Sequence, residues 1–359
     1  MDYRQTCTWK EINETNQTLK NILLNTGDAI NETAKRIAKS GATNIVLTGR
    51  GTSNHALIFF KYLCEIYTGY TVSIAHPSTI TRYNGKINFA NSVVIGCSQS
   101  GQAKDCIEVL KRAKQDGGLT VAVTNDCNSP MATLCDHHLY CSAGKELSVA
   151  ATKTFSAQLF VFALLVSRLA NSNELYEQLL NISNSTQKVI NNISCDSNIL
   201  QTNFFNERGG FILSRGLTMP IALEGALKLQ ETCYLPIKGF ASSDFYHGPM
   251  AMVGNDTPVQ LYLAKHEGKL QERVRREQME NIKHLISLNA KLFIVTSDEV
   301  IANKFASNAL TYLIKDCNGA LSAVFAFALF AQIYACATSY HLGLNPDAPR
   351  ALKKVTITL

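Results

Sequence analysis

The sequence predicts an α/β protein made of two tandem, doubly wound parallel sheets, and three observations predict it. Short apolar runs recur, each followed by a glycine-bearing turn and at least ten residues of helical spacing, which is the signature of βαβ units. The order of these parts is repeated in the later half of the chain. Landmarks repeat with it: Arg50-Gly51 corresponds to Arg215-Gly216, and LTVAVTND (119–126) to KLFIVTSD (291–298).

Residues 1–40 carry apolar positions at helical spacing in WKEINETNQTLKNILL and AINETAKRIAKSG. NIVLTGRGTSNHALIFFKYLCEIY (44–67) then reads strand, turn, helix, and SVVIGCSQSGQAKDCIEVLKRAKQDGG (92–118) reads the same way before the strand at 119–126. The Asn/Ser-rich stretch 171–198 reads as connecting helices. GFILSRGLTMPIALEGALKLQETCY (210–234) is again strand, turn, helix, and residues 258–290 lead into the strand at 291–298. The expected division is 1–175, comprising N-terminal helices and the first sheet, and 176–359, comprising the second sheet and a C-terminal tail.

At 359 residues the chain is long enough for two cores of ordinary size. Hydrophobic residues form 46% and charged residues 17%, which excludes a disordered chain. The net charge of +6 suits an anionic small ligand. The one basic block, RVRRE (273–277), lies among acids on a helical stretch and reads as a solvated face, so no nucleic-acid partner is expected. The eleven cysteines are scattered, with no CxxC pair, and the polar start MDYRQTCTWKE lacks the apolar core of a signal peptide. A cytoplasmic protein with free thiols and no bound metal is the expectation. The apolar run 320–340 is long enough to suggest a membrane span, but it is solitary, Ala/Ser-rich and contains Gln332, so a buried helix is expected.

In open parallel sheets ligands bind beyond the carboxyl ends of the strands. The first half places Gly51-Thr52-Ser53 and Ser98-Gln99-Ser100-Gly101 at two such ends. Backbone N–H groups at a helix start, together with short hydroxyls, make a cradle for phosphate. Either turn alone could be explained by helix capping, but both occurring in one half favours an anion site. No Walker lysine follows and no G-x-G-x-x-G is present, so ATP, NAD and other cofactors are not expected. In EGALKLQE (224–231), Glu224, Lys228 and Glu231 fall within roughly 60° of one another on a helix. That face is either a solvated ion-pair stripe or a polar cluster facing a pocket.

Six motifs in order, GTS (51–53), SQSGQ (98–102), SVAATKTF (148–155), ALEGALKLQE (222–231), HGP (247–249) and PRALKKVT (349–356), resemble the sugar isomerase (SIS) family. The pattern is most similar to the isomerase half of glucosamine-fructose-6-phosphate synthase. It is also similar to stand-alone amino-sugar-phosphate deaminases and phospho-Amadori deglycases. The resemblance implies two flavodoxin-like SIS domains with a sugar phosphate on Gly51, Thr52, Ser53, Ser98, Gln99 and Ser100, and with Val149, Ala151 and Glu224 lining the substrate. It implies Glu231 as the base moving a proton between C1 and C2, Lys228 beside it, and Glu224 bracing Lys228. His247 would be the ring-opening group reaching into the site of a neighbouring subunit, hence a homodimer or larger homo-oligomer. Lys354 would be the C-terminal lysine able to form a Schiff base with a ketose.

Departures from the synthase pattern are Ala103 and Ala151 in place of hydroxyl residues, and Gln102 and Lys238 in place of acids; Lys238 could meet an additional anionic group. No glutamine-hydrolysing domain is seen, and Cys7 is not at the nucleophile's place, so release of an amine is the expected direction. The expected activity is isomerisation and deamination of an amino-sugar 6-phosphate. The alternatives are cleavage of a fructosamine 6-phosphate to glucose 6-phosphate and an amino acid, and a non-catalytic sugar-phosphate sensor.

Overall fold

The computed structural model describes residues 2–354. Its first sheet holds β1 (Asn44–Gly49), β2 (Thr71–Ile74), β3 (Ser92–Ser98), β4 (Leu119–Thr124) and β5 (His137–Tyr140) in the order β2-β1-β3-β4-β5. Its second holds β6 (Gly210–Ser214), β7 (Ile237–Ala241), β8 (Pro258–Leu263), β9 (Lys291–Thr296) and β10 (Leu310–Leu313) in the order β10-β9-β8-β6-β7. Read from β7, the second order is β7-β6-β8-β9-β10, the same winding as the first. Every named strand pair is parallel, with β1 and β3 in register from Asn44↔Ser92 to Gly49↔Cys97. The duplication read in the sequence is therefore a duplication of topology.

The central strands are buried along most of their length because helices cover both faces of each sheet. In the first sheet Val46, Val94 and Ala122 pack with Cys106, Ile107, Val109 and Leu110 of the helix Lys104–Gln115. In the second, Phe211, Leu213, Val259, Leu261 and Ile294 pack with Ile282 and Leu285 of the helix Gly268–Ser287. Each such aliphatic side chain contributes about 1.5–3 kcal/mol of transfer free energy when fully buried. The strands absent from the sequence reading are β2, β5, β7 and β10, and all four are sheet edges. With sequences such as TVSI and HHLY they lack the continuous apolar run of a central strand, because one side has no neighbouring strand.

The chain forms two compact units: residues 14–183 with 351–354, and residues 2–13 with 184–350. This differs from a division at 175/176, and the terminal hydrogen bonds explain why. The start of the helix Cys7–Asn13 is clamped by Asp347, which accepts from the backbone N–H of Cys7 at 2.9 Å and of Thr8 at 2.7 Å, and from the Thr8 hydroxyl at 2.7 Å. Lys354 of the tail bonds instead to Glu146 and Ser148 in the earlier unit. The boundary falls inside the continuous helix Asn173–Cys195. The apolar helix Gly319–His341 could cross a membrane by length and composition, yet 89% of its most apolar window is buried inside the protein. All eleven cysteines are free.

Candidate functional site

The turns after β1 and β3 open two helices, Gly51–Tyr67 and Lys104–Gln115, at the adjacent strands where the sheet order reverses. Neither helix start is capped by a side chain: Arg50 and Ala103 occupy the N-cap positions. First-turn N–H groups and the helix dipole at such starts favour an anion. Ser53 is held in the first turn by Gln158, whose amide donates to its hydroxyl at 3.0 Å. Ser98 ends β3 and accepts from the N–H of Gly101 at 3.1 Å, Ser100 accepts from the N–H of Gln102, and the Gln99 carbonyl accepts from the N–H of Asn125 at 3.0 Å. Gly101 adopts φ +62°, and a Cβ there would lie 2.1 Å from the Ser129 hydroxyl oxygen, so this turn requires glycine. Gly51 is likewise left-handed at φ +51°.

The SVAATKT loop is organised around Glu146, whose side chain is fully buried. Its carboxylate accepts from the N–H groups of Thr152 and Thr154, both at 3.0 Å, from the Thr154 hydroxyl at 2.7 Å, and from the Lys354 ammonium at 2.8 Å. Burial alone would raise the Glu146 pKa, but Lys354 and the Thr154 donors outweigh it and hold the carboxyl below its ordinary range. Lys354 also donates to the Ser148 carbonyl at 2.7 Å. So placed it is a charge partner, and Schiff-base formation requires it first to leave Glu146 and lose a proton. Val149 and Ala151 are the partly exposed positions of this loop, between buried Ser148, Ala150 and Thr152.

In the unit containing residues 184–350, EGALKLQE lies on the helix Met219–Cys233, closed by Tyr234 in the left-handed conformation. Lys228 sits between two carboxylates, 2.6 Å from Glu231 Oε2 and 3.4 Å from Glu224 Oε1. Glu224 and Lys228 have side-chain exposures of 0% and 2%, whereas Glu231 has 23% and is the member that reaches the surface. Burial would lower the Lys228 pKa, but Glu231 and Glu224 raise it further, so the ammonium is retained. The face is therefore a buried ion-pair cluster with one accessible carboxylate. Next to Glu224, Gly225 marks where the helix Gly319–His341 packs closely: a Cβ there would stand 3.2 Å from the Tyr262 hydroxyl and 3.5 Å from Ala331.

His247 is exposed and ends the short helix Ser242–Tyr246, with its N–H bonded to the Asp244 carbonyl at 3.1 Å. Lys238 lies near the start of β7 and, with Asn206 and Arg208, lines a cavity of about 410 Å³ at the amino ends of β6, β7 and β8. Among the described residues no three His, Cys, Asp or Glu side chains are grouped to hold a metal.

Residues 38–168, spanning the cradle and all five strands of the first sheet, match the family model described as SIS domain. The chain belongs to the SIS domain family. An isomerizing glutamine–fructose-6-phosphate aminotransferase of Aquifex aeolicus is 31% identical over 357 residues, covering 96% of this chain and 55% of that protein. Its counterpart from Sulfolobus acidocaldarius is 28% identical over 353 residues, covering 98% and 56%. The solved C-terminal domain of glucosamine-fructose-6-phosphate aminotransferase from Francisella tularensis has a TM-score of 0.81 and 25% identity, covering 96% of this chain and 98% of that one. This SIS chain thus spans about half the length of the curated relatives it matches.

Three polar residues of the SIS fold escaped the sequence reading as site components. Arg50, noted only as a repeat landmark, bonds through Nε and Nη2 to buried Asp105 at 2.7 and 2.6 Å, beside the cradle. Gln158 is a buried amide in a helix whose neighbouring residues are apolar, and that isolation was its one signal. Glu146 stands two residues before the SVAATKTF motif, and nothing in local spacing marks it as buried.

Proposed function

We propose that this SIS chain isomerises and deaminates an amino-sugar 6-phosphate. The observation that carries the proposal is the division within one charge cluster: Glu224 and Lys228 are buried, while Glu231 is partly exposed, with its Oε2 buried against Lys228. An accessible carboxylate held against an ammonium suits a group that repeatedly takes and returns a proton. In this reading Gly51, Thr52, Ser53, Ser98, Gln99 and Ser100 bind phosphate, and Glu231 and His247 are the acid–base groups. Val149 and Ala151 line the sugar.

His247, exposed in the protomer, opens the ring in a neighbouring copy of a homodimer or larger homo-oligomer. Glu231 removes the C2 proton of the open-chain 2-amino aldose, O1 gains a proton as the amino nitrogen loses one, and the proton on Glu231 passes to C1. The product is a C2 imine, which water hydrolyses to the ketose 6-phosphate and ammonia. Lys228 holds the Glu231 carboxylate in place by an ion pair, and Lys354 holds the SVAATKT loop through Glu146. The printed names of the relatives, isomerizing aminotransferases of fructose 6-phosphate, support a reaction interconverting ketose and amino-sugar phosphates.

The test is ammonia release from glucosamine 6-phosphate by the purified protein. Glu231→Gln is expected to lower turnover by ~10²–10⁴ while sparing phosphate-dependent binding. An active Glu231→Gln enzyme would sink the mechanism. Glucose 6-phosphate from a 6-phosphorylated fructosamine would replace the deaminase by a deglycase. Binding of both sugars without turnover of either would make the chain a sensor.

A further inference from the structure

The two sheets reverse their strand order at corresponding places, β1/β3 and β6/β8. At such a switch point an open parallel sheet forms a ligand crevice. Both copies also brace it alike. Arg50, from the turn after β1, reaches Asp105 on the helix after β3 at 2.6 Å, and Arg215, from the turn after β6, reaches Glu277 on the helix after β8 at 3.3 Å. The first copy carries the hydroxyls of Ser53, Ser98 and Ser100 on the chain segments that follow or end β1 and β3. The second instead encloses a cavity of about 310 Å³ between Arg215, the end of β8 and the helix Gly268–Ser287.

The lining of this cavity selects a kind of ligand. Arg215 and Arg273 share one carboxylate, Glu277, at 3.3 and 3.2 Å, which leaves one uncompensated positive charge at the mouth. Leu270, an exposed large apolar residue, and Val274 form an apolar wall with Tyr262. Gln278 donates its amide N–H to the Ala264 carbonyl at 3.2 Å, and its Oε1 is buried without a hydrogen-bond partner. Buried acceptors of this kind are rare and normally satisfied. Burial lowers the His266 pKa, so a neutral imidazole stands on the same wall near pH 7. The volume lies at the lower end of the roughly 300–1,000 Å³ typical of ligand pockets.

We propose that this second switch-point cavity is a binding site for a small organic anion with an apolar body and one hydrogen-bond donor. The anionic end meets Arg215 and Arg273, the body packs on Leu270 and Val274, and the donor satisfies Gln278 Oε1. The site lies wholly within the unit of residues 184–350 and does not depend on the reaction assigned above.

The probe is 4-hydroxyphenyl phosphate, titrated calorimetrically into the full chain carrying Ser98→Ala and Ser100→Ala, so that the first-copy cradle contributes little. One binding event per chain is expected to persist. Arg273→Glu, at a highly exposed helix position that leaves folding intact, is expected to weaken it at least tenfold. Val274→Trp, which fills the cavity, is expected to abolish it, with circular dichroism confirming the fold. Hydroquinone, which lacks the charge, is expected to bind at least tenfold more weakly. Loss of all binding on removing the two serines would assign the probe to the cradle and overturn the proposal. Binding unchanged by both Arg273→Glu and Val274→Trp would overturn it too. Neither result bears on ammonia release, which tests the cradle and Glu231 separately.

Discussion

At the residue scale, Lys228 shows how chemistry and stability share one side chain. Its ammonium is buried against two carboxylates, one of them the fully buried Glu224. Removing the cation leaves an uncompensated buried charge, the costly way to break an ion pair. Lys228→Met is therefore expected to destabilise the protein by about 3–5 kcal/mol, read from urea denaturation. Adding Glu224→Gln should recover part of that loss, because the two effects are coupled and not additive. A loss below 1 kcal/mol for Lys228→Met would show that water reaches the pair. Helical spacing alone placed Glu224, Lys228 and Glu231 on one face, but not their depths. Depth is set by what packs over the helix, here Gly319–His341, whose approach at Gly225 comes from a distant part of the sequence.

At the element scale, the phosphate cradle is a matter of turn geometry. Gly101→Ala would put a methyl group 2.1 Å from the Ser129 hydroxyl at a left-handed φ of +62°. Strain of this kind costs about 1–3 kcal/mol, and the displaced turn is expected to weaken sugar-phosphate binding at least tenfold in a direct titration. Unchanged binding by Gly101→Ala would remove the turn after β3 from the site. The turns were legible because glycine and serine at a strand end have a local meaning. The edge strands β2, β5, β7 and β10 were not, since their pairing is supplied entirely by an inner neighbour. Glu146 was hidden for a similar reason: its partners include Lys354, 208 residues away.

At the scale of the whole molecule, the C-terminal tail ties acid stability to Glu146. The folded pKa of this group lies below its ordinary value of 4.5, so between the two values the unfolded chain binds more protons. Its contribution is complete above about pH 4.5 and is lost as pH falls through the folded pKa. Glu146→Gln is expected to flatten the acid limb of a stability profile between pH 6 and 3, measured by urea midpoints. An unchanged acid limb would show that Lys354 does not hold the carboxylate in solution. The sequence by itself determined the repeated α/β plan, the strand ends that bear the serine turns and the shared face of Glu224, Lys228 and Glu231, because periodicity and turn chemistry are local. Only the tertiary structure decided that Glu231 is the accessible carboxylate, that Lys354 rests on Glu146, and that residues 2–13 belong with residues 184–350. Burial and long-range ion pairing depend on which surfaces meet, and no local pattern encodes that.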